Sequence, residues 1–62
     1  MPKVREAIRL VESDGWVLRG TRGSHRQYTH PIKRGRVTIA GAPNKDLHPA
    51  IWESILKQAG LK

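Results

Sequence analysis

Apolar residues recur at helical spacing near the amino terminus. They follow the i, i+3, i+4, i+7 spacing of one helical face, and they are Val4, Ala7, Ile8 and Val11. Pro2 suits a first helical turn because its missing N–H has no partner there, and Gly15 suits a left-handed cap. The pattern therefore predicts a first helix over residues 2–14.

A second apolar stripe of helical spacing lies near the carboxyl terminus. It consists of Ile51, Trp52, Ile55, Leu56 and Ala59. We expect this helix to begin at Pro49 and to stop at Gly60, because these residues favour the first turn and the end of a helix. Leu47 is spaced to pack against Trp52 across the start of the helix, as a hydrophobic staple does.

Between the helices the pattern changes to the period of two that is typical of half-buried strands. It predicts strands over residues 16–19, 24–30 and 36–40, with turns at 20–23 and 33–35. The second strand is the most informative, because one of its faces is entirely polar. That face carries His25, Gln27 and Thr29, and the opposite face carries Arg26 and Tyr28. We expect the polar face to meet solvent and Tyr28 to anchor the core.

The order of elements predicts an α+β protein of one domain, residues 1–62, with the order α-β-β-β-α. Three antiparallel strands would carry both helices on one face and leave the other face open. The residues expected to be largely buried are Ile8, Val11, Trp16, Leu18, Tyr28, Val37, Ile39, Ile51, Ile55 and Leu56.

Composition narrows the class of protein. The 62 residues include no cysteine, which excludes disulfides and thiolate metal sites. A chain of this size buries only about 60% of its unfolded surface, so support from a partner chain is plausible. No apolar run has the length of a membrane span, and no signal-peptide core is visible. We therefore expect a soluble cytoplasmic protein with no membrane association.

The net charge of +7 comes from the middle of the chain. The segment 15–45 contains no Asp or Glu, and its basic residues are Arg19, Arg22, Arg26, Lys33, Arg34, Arg36 and Lys45. Outside this segment, basic and acidic residues are equal in number. A solvated surface would intersperse the two signs, so the segment indicates binding to a polyanion, with nucleic acid favoured. We take these seven residues as candidate RNA-binding residues.

His25 is the candidate for proton transfer. An unperturbed imidazole exchanges a proton near neutral pH, and this one lies on the polar strand face in cationic surroundings. His30 and His48 each precede a proline and are expected to have local structural roles. The histidines are not clustered with carboxylates, so no metal site and no cofactor is expected.

The chain resembles the HicA toxins of bacterial and archaeal toxin–antitoxin pairs. The matching stretches are Asp14-Gly15-Trp16, Gly23-Ser24-His25-Arg26-Gln27-Tyr28, His30-Pro31, Gly35-Arg36-Val37-Thr38-Ile39 and Ser54-Ile55-Leu56-Lys57-Gln58-Ala59-Gly60. The resemblance implies a fold like that of double-stranded-RNA-binding domains and messenger-RNA endonuclease activity. It also implies that His25 is catalytic and that a cognate HicB-like antitoxin inhibits the protein in a heteromeric complex.

The implied chemistry needs no metal, because RNA supplies its own nucleophile. A neutral imidazole could take the 2′-hydroxyl proton as that oxygen attacks the adjacent phosphorus, which is general base catalysis. Arg22 and Arg26 are candidates to hold the phosphate, and Arg26 is the weaker of the two because it alternates away from His25. No general acid is evident. Two alternatives stay open at this point: a non-catalytic RNA-binding module of the same fold, and a chain that mainly binds a partner protein.

Overall fold

Two helices cover one face of a three-stranded sheet in the computed structural model, which describes residues 1–62. In chain order the elements are α1 (Val4–Ser13), β1 (Val17–Arg22), β2 (His25–Thr29), β3 (Val37–Ala40) and α2 (Pro49–Gln58). The strands are antiparallel in the order β1-β2-β3. This arrangement confirms the predicted α-β-β-β-α fold and its open sheet.

The core lies between the helices and the central and third strands. Tyr28 on β2 is 1% exposed, which confirms it as the anchor of the sheet, and its cross-strand partner Val37 is fully buried. The buried residues are Val4, Ala7, Val11, Trp16, Tyr28, Val37, Ile39, Leu47, Ile55 and Ala59. Leu47 and Trp52 occupy the two staple positions that flank the start of α2, and both pack in this core.

Four residues predicted to be buried are more exposed than expected. Leu18 is 45% exposed because the helices approach the sheet over β3, so β1 extends beyond their cover. Ile51 is 52% exposed. It lies about 80° around the helix from Ala59, at the margin of the apolar stripe. Ile8 and Leu56 are only partly buried.

α1 is shorter than predicted, whereas α2 begins at Pro49 and ends before Gly60, as predicted. α1 begins at Val4 rather than Pro2, because the segment before it pairs with the loop that precedes α2. In that pairing the Leu47 N–H donates to the Pro2 carbonyl at 2.7 Å, and the Val4 N–H donates to the Lys45 carbonyl at 2.9 Å. Gly15 ends α1 with a φ of +103°. Neither helix is long and apolar enough to cross a membrane.

The β1–β2 hairpin differs most from its prediction. β1 continues through Arg22, and the connection is the two-residue turn Gly23-Ser24 instead of residues 20–23. Gly23 has a φ of +60° and Ser24 has a negative φ, which are the signs of a type II′ turn. The pairing also shifts by one residue between Leu18 and Gly20, so Arg19 is the extra residue of a β-bulge.

Candidate nucleic-acid interface and catalytic histidine

His25 begins β2 directly after the tight turn, on the sheet face that no helix covers. Its neighbour across β3 is Ala40, and its neighbour across β1 is Arg22. The residue is exposed, and its ring makes no hydrogen bond within the protein. An exposed, unbonded imidazole is accessible to a bound molecule.

Residues paired across an antiparallel sheet share a face, so the register defines the composition of the open face. Successive rows from the turn outward are Arg22/His25/Ala40, Gly20/Gln27/Thr38 and Val17/Thr29. No carboxylate lies in any of the three strands. We call this surface the open face. It presents hydrogen-bond donors and positive charge beside one titratable imidazole.

The bulge at Arg19 allows Arg19 and Arg22 to lie on the same open face while Leu18 faces the helices. In a regular strand, residues three apart point to opposite faces, so Arg19 and Arg22 would be separated. One extra residue in β1 inverts the alternation after Leu18, and both arginines then share the face of His25. Cβ atoms of directly paired residues lie about 4.5–5.5 Å apart, which puts the long Arg22 side chain within reach of anything bound at His25.

Two hydrogen bonds orient further arginines along the same face. The Arg19 Nε–H donates to the Thr29 hydroxyl at 3.0 Å. The Arg36 Nη1–H donates to the Gln27 amide oxygen at 3.2 Å. Each guanidinium keeps further donors free, because guanidinium carries five N–H groups. The open face therefore holds Arg19, Arg22 and Arg36.

The acidic residues lie on the helical side of the molecule. Three of them form salt bridges with lysines, in the pairs Lys3–Asp46, Lys33–Asp14 and Lys62–Glu53. No arginine takes part in a salt bridge. The Lys33 ammonium, hydrogen-bonded to the Asp14 carboxylate, lowers the pKa of Asp14 below its ordinary 3.8. The cations on the open face are thus left without internal counter-ions.

The other four candidate RNA-binding residues lie outside the rows of paired residues that form the open face or point to the helical side. Arg26 points to the helical side, where its Nη1–H donates to the Gly41 carbonyl at 2.8 Å. Lys33 is held between the Asp14 carboxylate and the Ala59 carbonyl, at the last turns of both helices. Lys45 lies in the loop that caps α1, and Arg34 is exposed in the β2–β3 connection. The number of basic residues in the sequence could not distinguish these environments.

The remaining histidines have structural contacts. The His48 Nδ1 atom accepts the Ala50 N–H at 3.0 Å and so caps α2. The His30 Nδ1 atom accepts two backbone N–H groups, those of Ile32 and Lys33, each at 3.0 Å. With both of these rings engaged, His25 is the one histidine whose ring makes no hydrogen bond within the protein.

Three features of the candidate site were not predicted from the sequence: the place of Gln27 in it, the place of Thr38 in it, and the cross-strand pairing of Arg22 with His25. The signal was available in part, because Gly-Ser between two alternating segments is typical of a two-residue hairpin turn. That turn would have fixed the Arg22–His25 pair. The surface around His25 is open and is not an enclosed pocket.

Comparison with known proteins identifies the family of the chain. No curated protein matches the chain. The family model described as HicA toxin of bacterial toxin–antitoxin matches residues 4–61, which include both helices and all three strands. A toxin of this kind has a cognate antitoxin as its partner. The chain therefore belongs to the HicA toxin family and is the toxin component of a bacterial toxin–antitoxin system.

Proposed function

We propose that this toxin is a metal-independent endoribonuclease that cleaves messenger RNA and thereby stops translation and growth. The observation that carries the proposal is the pairing of exposed His25 with Arg22 on a sheet face without carboxylates. Family membership supports the toxin role, and the geometry supports the chemistry. Because messenger RNA is translated in the cytoplasm, the proposed activity belongs there.

In the proposed reaction, an unprotonated ring nitrogen of His25 takes the proton of a ribose 2′-hydroxyl. The 2′-oxygen forms a bond to the adjacent phosphorus as the bond from phosphorus to the 5′-oxygen breaks. The leaving 5′-oxygen takes a proton from water. The products are a 2′,3′-cyclic phosphate and a 5′-hydroxyl end, and general base catalysis of this kind contributes about 10²- to 10⁴-fold.

Arg22 is proposed to hold the scissile phosphate, since it lies directly across the strand pair from His25. Its guanidinium can donate two parallel hydrogen bonds to phosphate oxygens and stabilise the charge that develops on them. Arg19 and Arg36 lie farther from the turn and would bind flanking phosphates. Arg26 has no such role in the proposal, because its guanidinium is engaged on the helical side.

Cleavage of a labelled messenger RNA by purified protein tests the proposal. His25→Ala should abolish cleavage and toxicity, because no other free imidazole lies on the open face. A matched control is His48→Asn, which removes an imidazole from the helical side and keeps an acceptor to cap α2. The control should cleave like the wild type.

Substrate and solution conditions separate the proposed mechanism from other nucleases. Cleavage should persist in excess chelator and should slow at acidic pH, where a protonated imidazole accepts no proton. RNA with a 2′-methoxy group at the cut site, and DNA, should resist cleavage. Residual activity of well-folded His25→Ala, or cleavage of DNA, would remove His25 as the base. Tight RNA binding without any cleavage would instead support the non-catalytic RNA-binding module.

The antitoxin is proposed to be an acidic HicB-like protein that covers the open face. Three arginines without internal counter-ions would complement carboxylates on such a partner. Co-expression with the adjacent open reading frame should relieve growth arrest and yield a heteromeric complex. A complex that cleaves RNA as fast as the free toxin would contradict occlusion of His25.

A further inference from the structure

Gly20 is a glycine that the fold does not require. The other five glycines of the chain all have positive φ, a region that L-residues rarely adopt. Gly20 does not, and a Cβ atom built on it meets no atom within 4 Å. A bulge that needs glycine needs it for a left-handed φ, so the bulge does not explain Gly20 either. A glycine inside a strand weakens it and often marks close approach of a ligand.

Because Gly20 has no side chain, its backbone is bare on the open face, with no atom within 4 Å of the place of a Cβ atom. Gly20 lies opposite Gln27, in the row next to the Arg22–His25 pair. The oriented Arg19 side chain lies on the far side of Gly20 from Arg22. We call this space, with Gly20 as its floor and Arg19, Arg22 and Gln27 around it, the Gly20 notch. It begins about 7 Å along the sheet from His25, which is two residues of a strand.

Gln27, which lies opposite Gly20, keeps a free donor. Its amide oxygen accepts from Arg36, so its NH₂ group is the half of the amide that remains free. The side chains around the notch therefore offer donors: one amide NH₂ and two guanidinium groups. Guanidinium planes also stack on nucleobases, and base edges carry the acceptors that such donors bind.

We propose that the Gly20 notch receives the nucleobase adjacent to the scissile phosphate. The base lies against the bare backbone of Gly20, its edge accepts a hydrogen bond from the Gln27 NH₂ group, and an arginine guanidinium stacks on it. This inference rests on the proposed function, since it specifies how the same RNA is positioned at His25. The inference adds a binding subsite for a base to the open face, for which charge alone predicts only phosphate binding.

Filling the notch tests the inference without disturbing the fold. Gly20→Val adds a side chain where the backbone and the space both permit one, so its thermal midpoint should equal or exceed that of the wild type. The matched control is Thr21→Val, which places valine in the same strand on its helix-facing side, where it exchanges a hydroxyl for a methyl group. The control should bind and cleave RNA like the wild type.

The substrate is an RNA oligonucleotide with a mapped cut site, made also with an abasic ribose on either side of the cut. Gly20→Val should lower kcat/KM on the intact RNA by roughly tenfold to a hundredfold, the worth of one stacked base. On one of the two abasic RNAs the wild type should fall to that level, and Gly20→Val should lose nothing further. The proposal would be overturned if Gly20→Val had wild-type activity. It would also be overturned if the loss from the substitution and the loss from the abasic site multiplied on both abasic RNAs.

A binding measurement keeps the two proposals distinguishable. The same oligonucleotides with a 2′-methoxy group at the cut site cannot be cleaved, so their affinity is measured by fluorescence anisotropy. Gly20→Val should bind the intact RNA more weakly and the matching abasic RNA as the wild type does. If the wild type cleaves no RNA but this affinity pattern holds, the nuclease fails and the notch stands. Equal affinities across all combinations reject the notch even where cleavage occurs.

Discussion

His30 organises the region where α1 ends. Because its Nδ1 atom accepts two N–H groups, its Nε2 atom carries the proton and donates to the Asp14 carbonyl at 2.8 Å. The ring also meets Trp16 edge-on, with centroids 5.2 Å apart. It lies so close to Gly15 that a Cβ atom there would come within 2.8 Å of Nε2. This ring ties α1 to the β2–β3 connection.

Removing His30 and removing His25 should therefore have opposite consequences. His30→Ala leaves two backbone N–H groups and a carbonyl without partners, and should lower the free energy of unfolding by roughly 2–3 kcal/mol. His25→Ala removes no contact and should change it by less than about 0.5 kcal/mol. Urea unfolding of both variants measures the difference. Equal losses would mean that His25 has a structural role the contacts do not reveal.

The Asp14–Lys33 pair should make stability depend on pH in the acidic range. The lowered pKa means that the folded chain holds its proton less tightly than the unfolded chain, whose ordinary value is 3.8. The contribution is therefore complete above that value and is lost as pH falls through the lowered pKa. Asp46, whose pKa is lowered by Lys3, acts in the same direction.

Lys33→Met tests this dependence. The variant should be less stable than the wild type near neutral pH, and the gap should narrow below pH 3.8 as Asp14 is protonated in both. Lys33→Met also removes the hydrogen bond from Lys33 to the Ala59 carbonyl, so a difference in stability that does not depend on pH should remain. Lys57→Met is the control, because Lys57 forms no salt bridge. Urea midpoints of the wild type and Lys33→Met are measured across the acidic range. A difference between them that stays constant with pH would contradict a role of the Asp14–Lys33 pair in this dependence.

Among the elements, β1 shows where prediction from sequence reaches its limit. β2 is regular, so period two assigned each of its residues to the correct face, with Tyr28 inward and His25 outward. After Leu18, β1 contains no apolar residue to mark inward positions, so the alternation within β1 does not reveal the bulge. The exposure of Leu18 and the pairing of Lys33 with Asp14 depend on contacts distant in sequence, which local patterns do not carry.

Deleting Arg19 should convert β1 into a regular strand without moving the site. Leu18 would still face Tyr28, Gly20 would still face Gln27, and Arg22 would still face His25, because only the extra residue of the bulge is lost. The deletion should keep the fold and cleave RNA with the weakened binding of Arg19→Ala. Circular dichroism and cleavage rates of both variants are the measurements. Unfolding of the deletion alone would show that the bulge itself is structurally required.

Across the whole molecule, charge is divided between two sides. Acidic residues and their lysine partners lie on the helical side, and Arg19, Arg22 and Arg36, which form no salt bridge, lie on the open face. Three of the seven basic residues singled out in the sequence reach that face. The number of phosphates neutralised by a bound RNA should follow this geometry rather than the composition.

The salt dependence of RNA affinity distinguishes three phosphate contacts from seven. A single strand contributes a slope of about −0.7 per neutralised phosphate to the logarithm of affinity against the logarithm of salt. Three contacts give a slope near −2, and seven would give a slope near −5. A non-cleavable RNA titrated at several salt concentrations provides the value. We expect about −2, and a slope near −5 would place the other four basic residues at the RNA as well.

The alternation of β2 has a genetic consequence. When cells are selected for survival of toxin expression, substitutions at His25 should leave abundant protein, because that codon specifies only the exposed surface. Substitutions at Tyr28 should instead deplete the protein, since unfolded chains are degraded. Cells can thus survive through loss of catalysis or through loss of folded protein, and the codons for these two outcomes alternate within five consecutive codons. Immunoblots of survivors should show abundance rising and falling with a period of two along this stretch.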